Sequence, residues 1–170
     1  ASLQNAGKKI SDVGEKIGKA GRTMLPVTGA IVGAGAAAVA AMDNVDDGLD
    51  TVMKKTGATG QAAKELDAIY RKVAGNIPGE FDDIGAAVGE VNTRLDFTGD
   101  KLQAASEAFL KFAKVNDTDV NTAVQLVTRA MGDAGIAADD YGVVLDALTV
   151  AGQKSGISID TLANNLAKYG

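Results

Sequence analysis

Residues 3–24 read LQNAGKKISDVGEKIGKAGRTM, and their apolar positions are Leu3, Ala6, Ile10, Val13, Ile17, Ala20 and Met24. This alternating spacing of three and four is that of heptad a and d positions. It lines one face of an α-helix with an apolar seam that calls for a partner helix. Three heptads are about the shortest run that sustains such a reading. Gly7, Gly14 and Gly21 recur beside the seam, where small residues let helices approach closely. The same frame continues through Val27, Ile31, Ala34, Ala38, Ala41 and Val45, with less weight because nearly every residue there is apolar. Pro26 stands against one unbroken coiled coil through both stretches. Two readings of the seam stay open. The preferred one is self-association or packing on a partner; the other is a single amphipathic helix lying on its own domain.

Working outward, residues 23–42 carry no charge over 20 residues. That length would suffice for a membrane span. The content is dominated by Ala, Gly and Val with one Leu and one Ile, which favours a tightly packed helical segment over a constitutive span. Gly29 and Gly33 form a small-xxx-small pair with Gly35 close behind, a spacing that supports close packing in a protein bundle or in lipid. The basic and acidic flanks do not make this a signal peptide, because the apolar run is too long and 22 residues precede it.

After Asp43 the pattern becomes a series of short amphipathic helices. Val45, Leu49, Val52 and Met53 mark the first, stopped near Gly57. Leu66, Ile69, Tyr70 and Val73 mark the second, with Thr59 placed to cap it and its end before Asn76-Ile77-Pro78. Phe81, Ile84, Val88, Val91 and Leu95 form a third stripe, and Thr98 is expected to cap a fourth helix with Leu102, Ala105, Phe109 and Phe112. Asp117 or Thr118 is expected to cap a helix carrying Val120, Val124, Val127 and Met131 and closed by Gly135. Tyr141, Val144, Leu145 and Leu148 follow, closed near Gly152–Gly156, and Ser158 caps a last helix with Leu162 and Leu166. Caps and closing glycines fall where helix ends need them. No stretch alternates with the period of a strand. The expected fold is all-α: an elongated N-terminal segment over residues 1–56, then a compact bundle of short helices over 57–170 that reads as part of something longer.

Composition bounds the chemistry. The 170 residues include 30 Ala and 21 Gly, no Trp, Cys or His, and only 4% aromatics. Alanine buries little area, so thin helix–helix interfaces are expected rather than one thick core. Without Cys there is no disulfide or thiolate chemistry, and without His the commonest general base and transition-metal ligand are missing. Asp82-Asp83 and Asp139-Asp140 sit at expected helix starts, where carboxylates meet the helix dipole. Asp43–Lys54 fails as a calcium loop because Val45 and Lys54 occupy ligand places. Asp117–Thr128 fails because Thr122 replaces the glycine and Thr128 the bidentate glutamate. No phosphate-binding or dinucleotide motif occurs. The reading is a non-catalytic protein with no cofactor and no metal. Net charge is −5, which speaks against a general nucleic-acid binder, and no sequence-specific nucleic-acid partner is expected. The charge is uneven: residues 1–22 hold +3, residues 23–42 hold none, and residues 43–170 hold −8.

Several runs together resemble the opening of tail tape measure proteins of long-tailed phages. Lys9 to Gly21 is similar to a basic amphipathic stretch that precedes an LP-x-x-G-x-G-A-A-A segment there, and Leu25 to Ala38 is similar to that segment. Thr56-Gly57-Ala58-Thr59-Gly60 resembles the family's SGATG turn. Asp83 to Leu102, then Phe109-Leu110-Lys111-Phe112-Ala113, resembles its D-I-x-x-A-x-G-E-x-N-T-R and F-L-K-F-A run. Asp139–Leu148 and Ser158–Tyr169 resemble two later stretches of the family. Each piece is low in complexity; their order and spacing are the specific part.

The resemblance implies a long helical protein, present in several copies in the lumen of the tail tube, that templates tube polymerisation and so sets tail length. It implies partners: copies of itself, the tail tube protein, distal tail and tip proteins, tail assembly chaperones, and the host membrane during genome ejection. It places the protein in the host cytoplasm during assembly and in the virion thereafter. Competing readings are a membrane-active helical toxin or bacteriocin that inserts residues 23–42, a component of a contractile injector, and a helical signalling or secretion filament.

Overall fold

A computed structural model describes residues 45–169. Seven α-helices follow one another, and no strand occurs among the described residues. They are α1 (Val45–Thr56), α2 (Gly60–Asn76), α3 (Phe81–Leu95), α4 (Gly99–Val115), α5 (Val120–Asp133), α6 (Tyr141–Ser155) and α7 (Ile159–Tyr169), with a 3-10 turn, Ala138–Asp140, before α6. The all-α reading therefore holds, and every amphipathic stripe expected after Asp43 lies on a helix.

Helix ends follow local chemistry, with three departures from the expected caps: Thr59 and Thr98 do not cap through their side chains, and the cap of α5 shifts. Gly57, Gly135 and Gly156 adopt left-handed φ values of 64°, 66° and 69°, the conformation that ends a helix at least cost in glycine. Ser158 accepts from the Thr161 amide at 3.4 Å, as expected of a cap. Thr59 and Thr98 occupy the residue before their helices in extended conformation, but their side chains make no capping bond. The cap of α5 is Asp119, not Asp117 or Thr118. Its carboxylate accepts from the Thr122 amide at 2.8 Å and the Thr122 hydroxyl at 2.9 Å. Asp117 instead takes the left-handed turn at φ 50°, two residues before the capping position.

α3 is the central helix. Ile84, Gly85, Ala86, Ala87, Val88, Gly89 and Val91 are all buried, because α1, α2, α4 and α5 each cover part of its surface. In both halves of the bundle a helix packs most extensively on the one two before it: α3 on α1, and α7 on α5. α1 and α3 run parallel. Gly48 lies against Phe81 and Gly85, whereas Lys55, further along α1, lies against Gly89 and Glu90 further along α3. The intervening α2 carries the chain back.

The large side chains gather into one connected cluster. Tyr70, Ile84, Leu102, Phe109 and Met131 are among its fully buried members. The thin interface expected from the alanine and glycine content occurs at the α1–α3 crossing, while elsewhere sparse large residues are pooled into a single core. α1, which precedes the sequence division at residue 56, contributes Val45 and Val52 to that core.

Candidate assembly surfaces

Three local arrangements bear on what the protein can contact. The first is the α1–α3 crossing. A Cβ added at Gly48 would run into the Phe81 carbonyl oxygen and the Tyr70 hydroxyl, and one added at Gly85 would stand 2.8 Å from the Gly48 carbonyl carbon. The two backbones therefore touch, and only glycine fits. The Tyr70 hydroxyl, fully buried, donates to the Val45 carbonyl at 3.1 Å and ties α2 to the start of α1. Burial pushes its pKa up to about 12, so it stays a donor.

Glu90 holds the far end of that crossing. It pairs with Lys55 of α1 at 2.8 Å and Arg94 of α3 at 2.5 Å, and accepts from Gln125 of α5 at 3.4 Å. Burial raises its pKa, but hydrogen bonds and charge from Lys55 and Arg94 outweigh burial and hold the carboxyl below the usual range. Beside it, Asn92 donates to the Phe97 carbonyl at 3.0 Å and the Thr93 hydroxyl to the Lys55 carbonyl at 3.3 Å. The Gly89-Glu90-Val91-Asn92-Thr93-Arg94 run thus fastens three helices and a turn.

The second arrangement is aromatic. Phe97 meets Tyr141 edge-on with centroids 5.8 Å apart, and Phe109 stacks on Tyr141 at 6.2 Å. The Lys101 ammonium lies 4.3 Å from the Phe97 ring centre and pairs with Asp139. This corner joins the α3–α4 turn to α6.

The third is an open groove of about 760 Å3 between the α2–α3 turn, the last turns of α4 and the entry to α5. Ile77, Pro78, Leu110, Ala113, Val115 and Val120 supply its apolar surface. Glu80, Asp83, Glu107 and Asp119 stand around it against Lys111 and Lys114. Val115 stands at its edge, 63% exposed. Glu107 is engaged by Asn76 at 2.8 Å and Gln103 at 3.0 Å, and Asp119 by its own helix start. Burial, with repulsion from Asp119, Asp82 and Glu80, raises the Asp83 carboxyl above its ordinary value.

The residues assigned from sequence to the self-association seam, Leu3, Ala6, Ile10, Val13, Ile17, Ala20 and Met24, lie outside the described residues. So do the close-packing glycines Gly29, Gly33 and Gly35 and the whole uncharged segment 23–42. Sequence reasoning missed both the groove and the α1–α3 glycine contact. Gly85 and Gly89 repeat the small-xxx-small spacing read at Gly29 and Gly33, so half of that contact was open to view. The groove had a weaker signal: an Ile-Pro-Gly turn read only as a helix stop.

Among the described residues, no three acidic side chains converge as a metal site, and no helix is long and apolar enough to cross a membrane. Comparison with curated proteins and with solved structures yields no match. A family model described as phage-related minor tail protein matches residues 70–170. That span runs from the tyrosine under α1 to the last helix and covers more than half of the chain, including the central helix, the aromatic corner and the groove. This chain belongs to the phage-related minor tail protein family.

Proposed function

We propose that this minor tail protein chain is a segment of a tail tape measure protein, which templates tube assembly and sets tail length from within the tube lumen. The observation that carries the reading is the order and spacing of tape-measure-like runs from Lys9 to Tyr169, the later part of which falls in the matched family region. The physical basis of a helical ruler is simple: helix rises about 1.5 Å per residue, so chain length converts to distance. At that rate 170 residues reach about 255 Å at most, and a bundle of short helices far less. The 45–169 bundle would therefore serve as an assembly unit within a longer ruler, contacting other copies, tube subunits, tail-tip proteins and tail assembly chaperones. On this reading the protein occupies the host cytoplasm during assembly and the virion afterwards, and it aids genome passage at the host membrane.

The test is tail length. Inserting about 100 helix-forming residues into the full reading frame, outside the bundle, should lengthen tails by about 150 Å in electron micrographs. Normal tails of unchanged length would overturn the ruler and leave the protein a minor tail component with another structural role.

A further inference from the structure

The groove beside the α2–α3 turn has no occupant among the described residues, yet the chain carries a segment suited to it. We infer that residues 3–24 of the same chain dock in this groove through their apolar seam, masking the seam until assembly. The inference does not depend on the ruler reading.

Where the chain enters the bundle supports it. The Val45 carbonyl accepts from Tyr70, seven residues before Ile77 on the α2 side, and Gly48 lies against the carbonyl of Phe81, the residue after Glu80. The chain before Val45 therefore departs at the end of the bundle where α2 gives way to α3. That same end carries the Ile77–Glu80 wall of the groove. Residues 25–44 lie between the seam and α1, and as extended chain they could span about 66 Å, well beyond the groove.

Charge supports it as well. Residues 1–22 hold +3, against −8 for residues 43–170. In the heptad frame the seam has unlike edges: Gly7, Gly14 and Gly21 on one side, Lys9 and Lys16 on the other. The glycine edge permits a close seat, and the two lysines are spaced seven apart to meet carboxylates along a rim. The groove offers Glu80 and Asp83 at that rim. Asp83 has no cationic partner among the described residues and feels three like charges, so an ammonium beside it would relieve the repulsion. The apolar content fits too. A helix in a groove anchors through residues spaced i, i+3 or i+4, and i+7, and a cavity of about 760 Å3 takes several such side chains.

The experiment uses the 170-residue chain in an equal mixture of light and heavy isotope forms. Zero-length carbodiimide coupling, read by mass spectrometry, should join Lys9 or Lys16 to Glu80 or Asp83 within chains of one isotope. Amide exchange over Ile10–Ala20 should be slow, and should speed roughly tenfold in V115E, which alters the groove at an exposed position and leaves the helical circular dichroism unchanged. K9E/K16E should lose the coupling and the protection, and adding E80K/D83K should restore the protection. Mixed-isotope links would place the seam on another copy and overturn docking within the chain. Absence of rim links, or exchange indifferent to V115E, would overturn the groove as its seat.

Discussion

At the α1–α3 crossing two helices meet backbone to backbone through Gly48 and Gly85, whereas at the aromatic corner Phe97, Phe109 and Tyr141 hold elements apart with rings. The first contact has no side chain to lose and no room to gain one. The second is made wholly of side chains. One protein thus solves helix packing in two opposite ways, and each is sensitive to the opposite kind of substitution. A composition poor in aromatics does not mean a uniformly thin core; it means that the few rings are pooled and the remaining contacts are drawn tight by glycine.

Four substitutions sharpen or break this contrast. Phe109→Ala empties a fully buried ring site and should cost about 3–5 kcal/mol in urea unfolding. A loss below about 1 kcal/mol would show that the corner is not part of the core. Gly85→Ala should cost about 3 kcal/mol, at the upper end of overpacking, because the added methyl meets the Gly48 backbone, which cannot rotate away. Gly89→Ala should cost somewhat less, since the added Cβ stands 2.8 Å from the Lys55 Cβ rather than against backbone; that Cβ is carried by the α1 backbone, so α1 itself must shift by a few tenths of an ångström. A larger loss at Gly89 than at Gly85 would refute backbone contact as the tighter of the two. Tyr70→Phe removes the side-chain donor that ties α2 to the Val45 carbonyl and should cost about 0.5–1.5 kcal/mol, with no change of fold by circular dichroism.

The smallest expected effect depends on pH. Asp83 is raised in the fold, so its contribution is fully present below the ordinary aspartate range and is lost as pH rises through the folded value. With residues 3–24 displaced by V115E, Asp83→Asn should therefore raise Tm near pH 7, with the gain vanishing in acid. Glu90 runs the other way: its lowered pKa gives stability that is present above the ordinary glutamate range and lost as pH falls through the folded value. Glu90→Gln should thus flatten the acid side of a Tm–pH profile. An unchanged profile would remove the Lys55–Glu90–Arg94 cluster from the account of the crossing.

Much of this fold was legible in the sequence. The stripes at Ile84, Val88 and Val91 and at Leu102, Ala105 and Phe109 are helical by period, and Gly57, Gly135 and Gly156 mark where helices end because glycine alone turns left-handed without strain. The α5 cap was misplaced because Asp117, Thr118 and Asp119 are all capping residues in a row. Only the turn geometry decides which one faces the free amides. The pairing of Gly48 with Gly85 was not legible, since it joins residues 37 apart and either could have faced solvent. The groove is harder still: it exists only where the ends of α2, α4 and α5 converge. By contrast, the Gly89–Arg94 run was read first as a family likeness. In the structure Gly89, Glu90 and Thr93 meet Lys55 of α1, Asn92 bonds the Phe97 carbonyl past the end of α3, and Arg94 pairs with Glu90 on its own helix, so the likeness includes three residues that hold the α1–α3 crossing.

The parallel pairing of α1 with α3 also sets an order of events during synthesis. Gly48 leaves the ribosome some 37 residues ahead of Gly85, its partner. At roughly 5–20 residues per second that gap lasts about 2–7 seconds. Throughout that interval α1 has no α3 to lie on. Nascent chains on neighbouring ribosomes of one message each pass through the same window, with the same glycine face uncovered and the same complementary helix about to appear. The crossing that fastens the finished bundle is thus also the place where two chains made side by side could exchange helices.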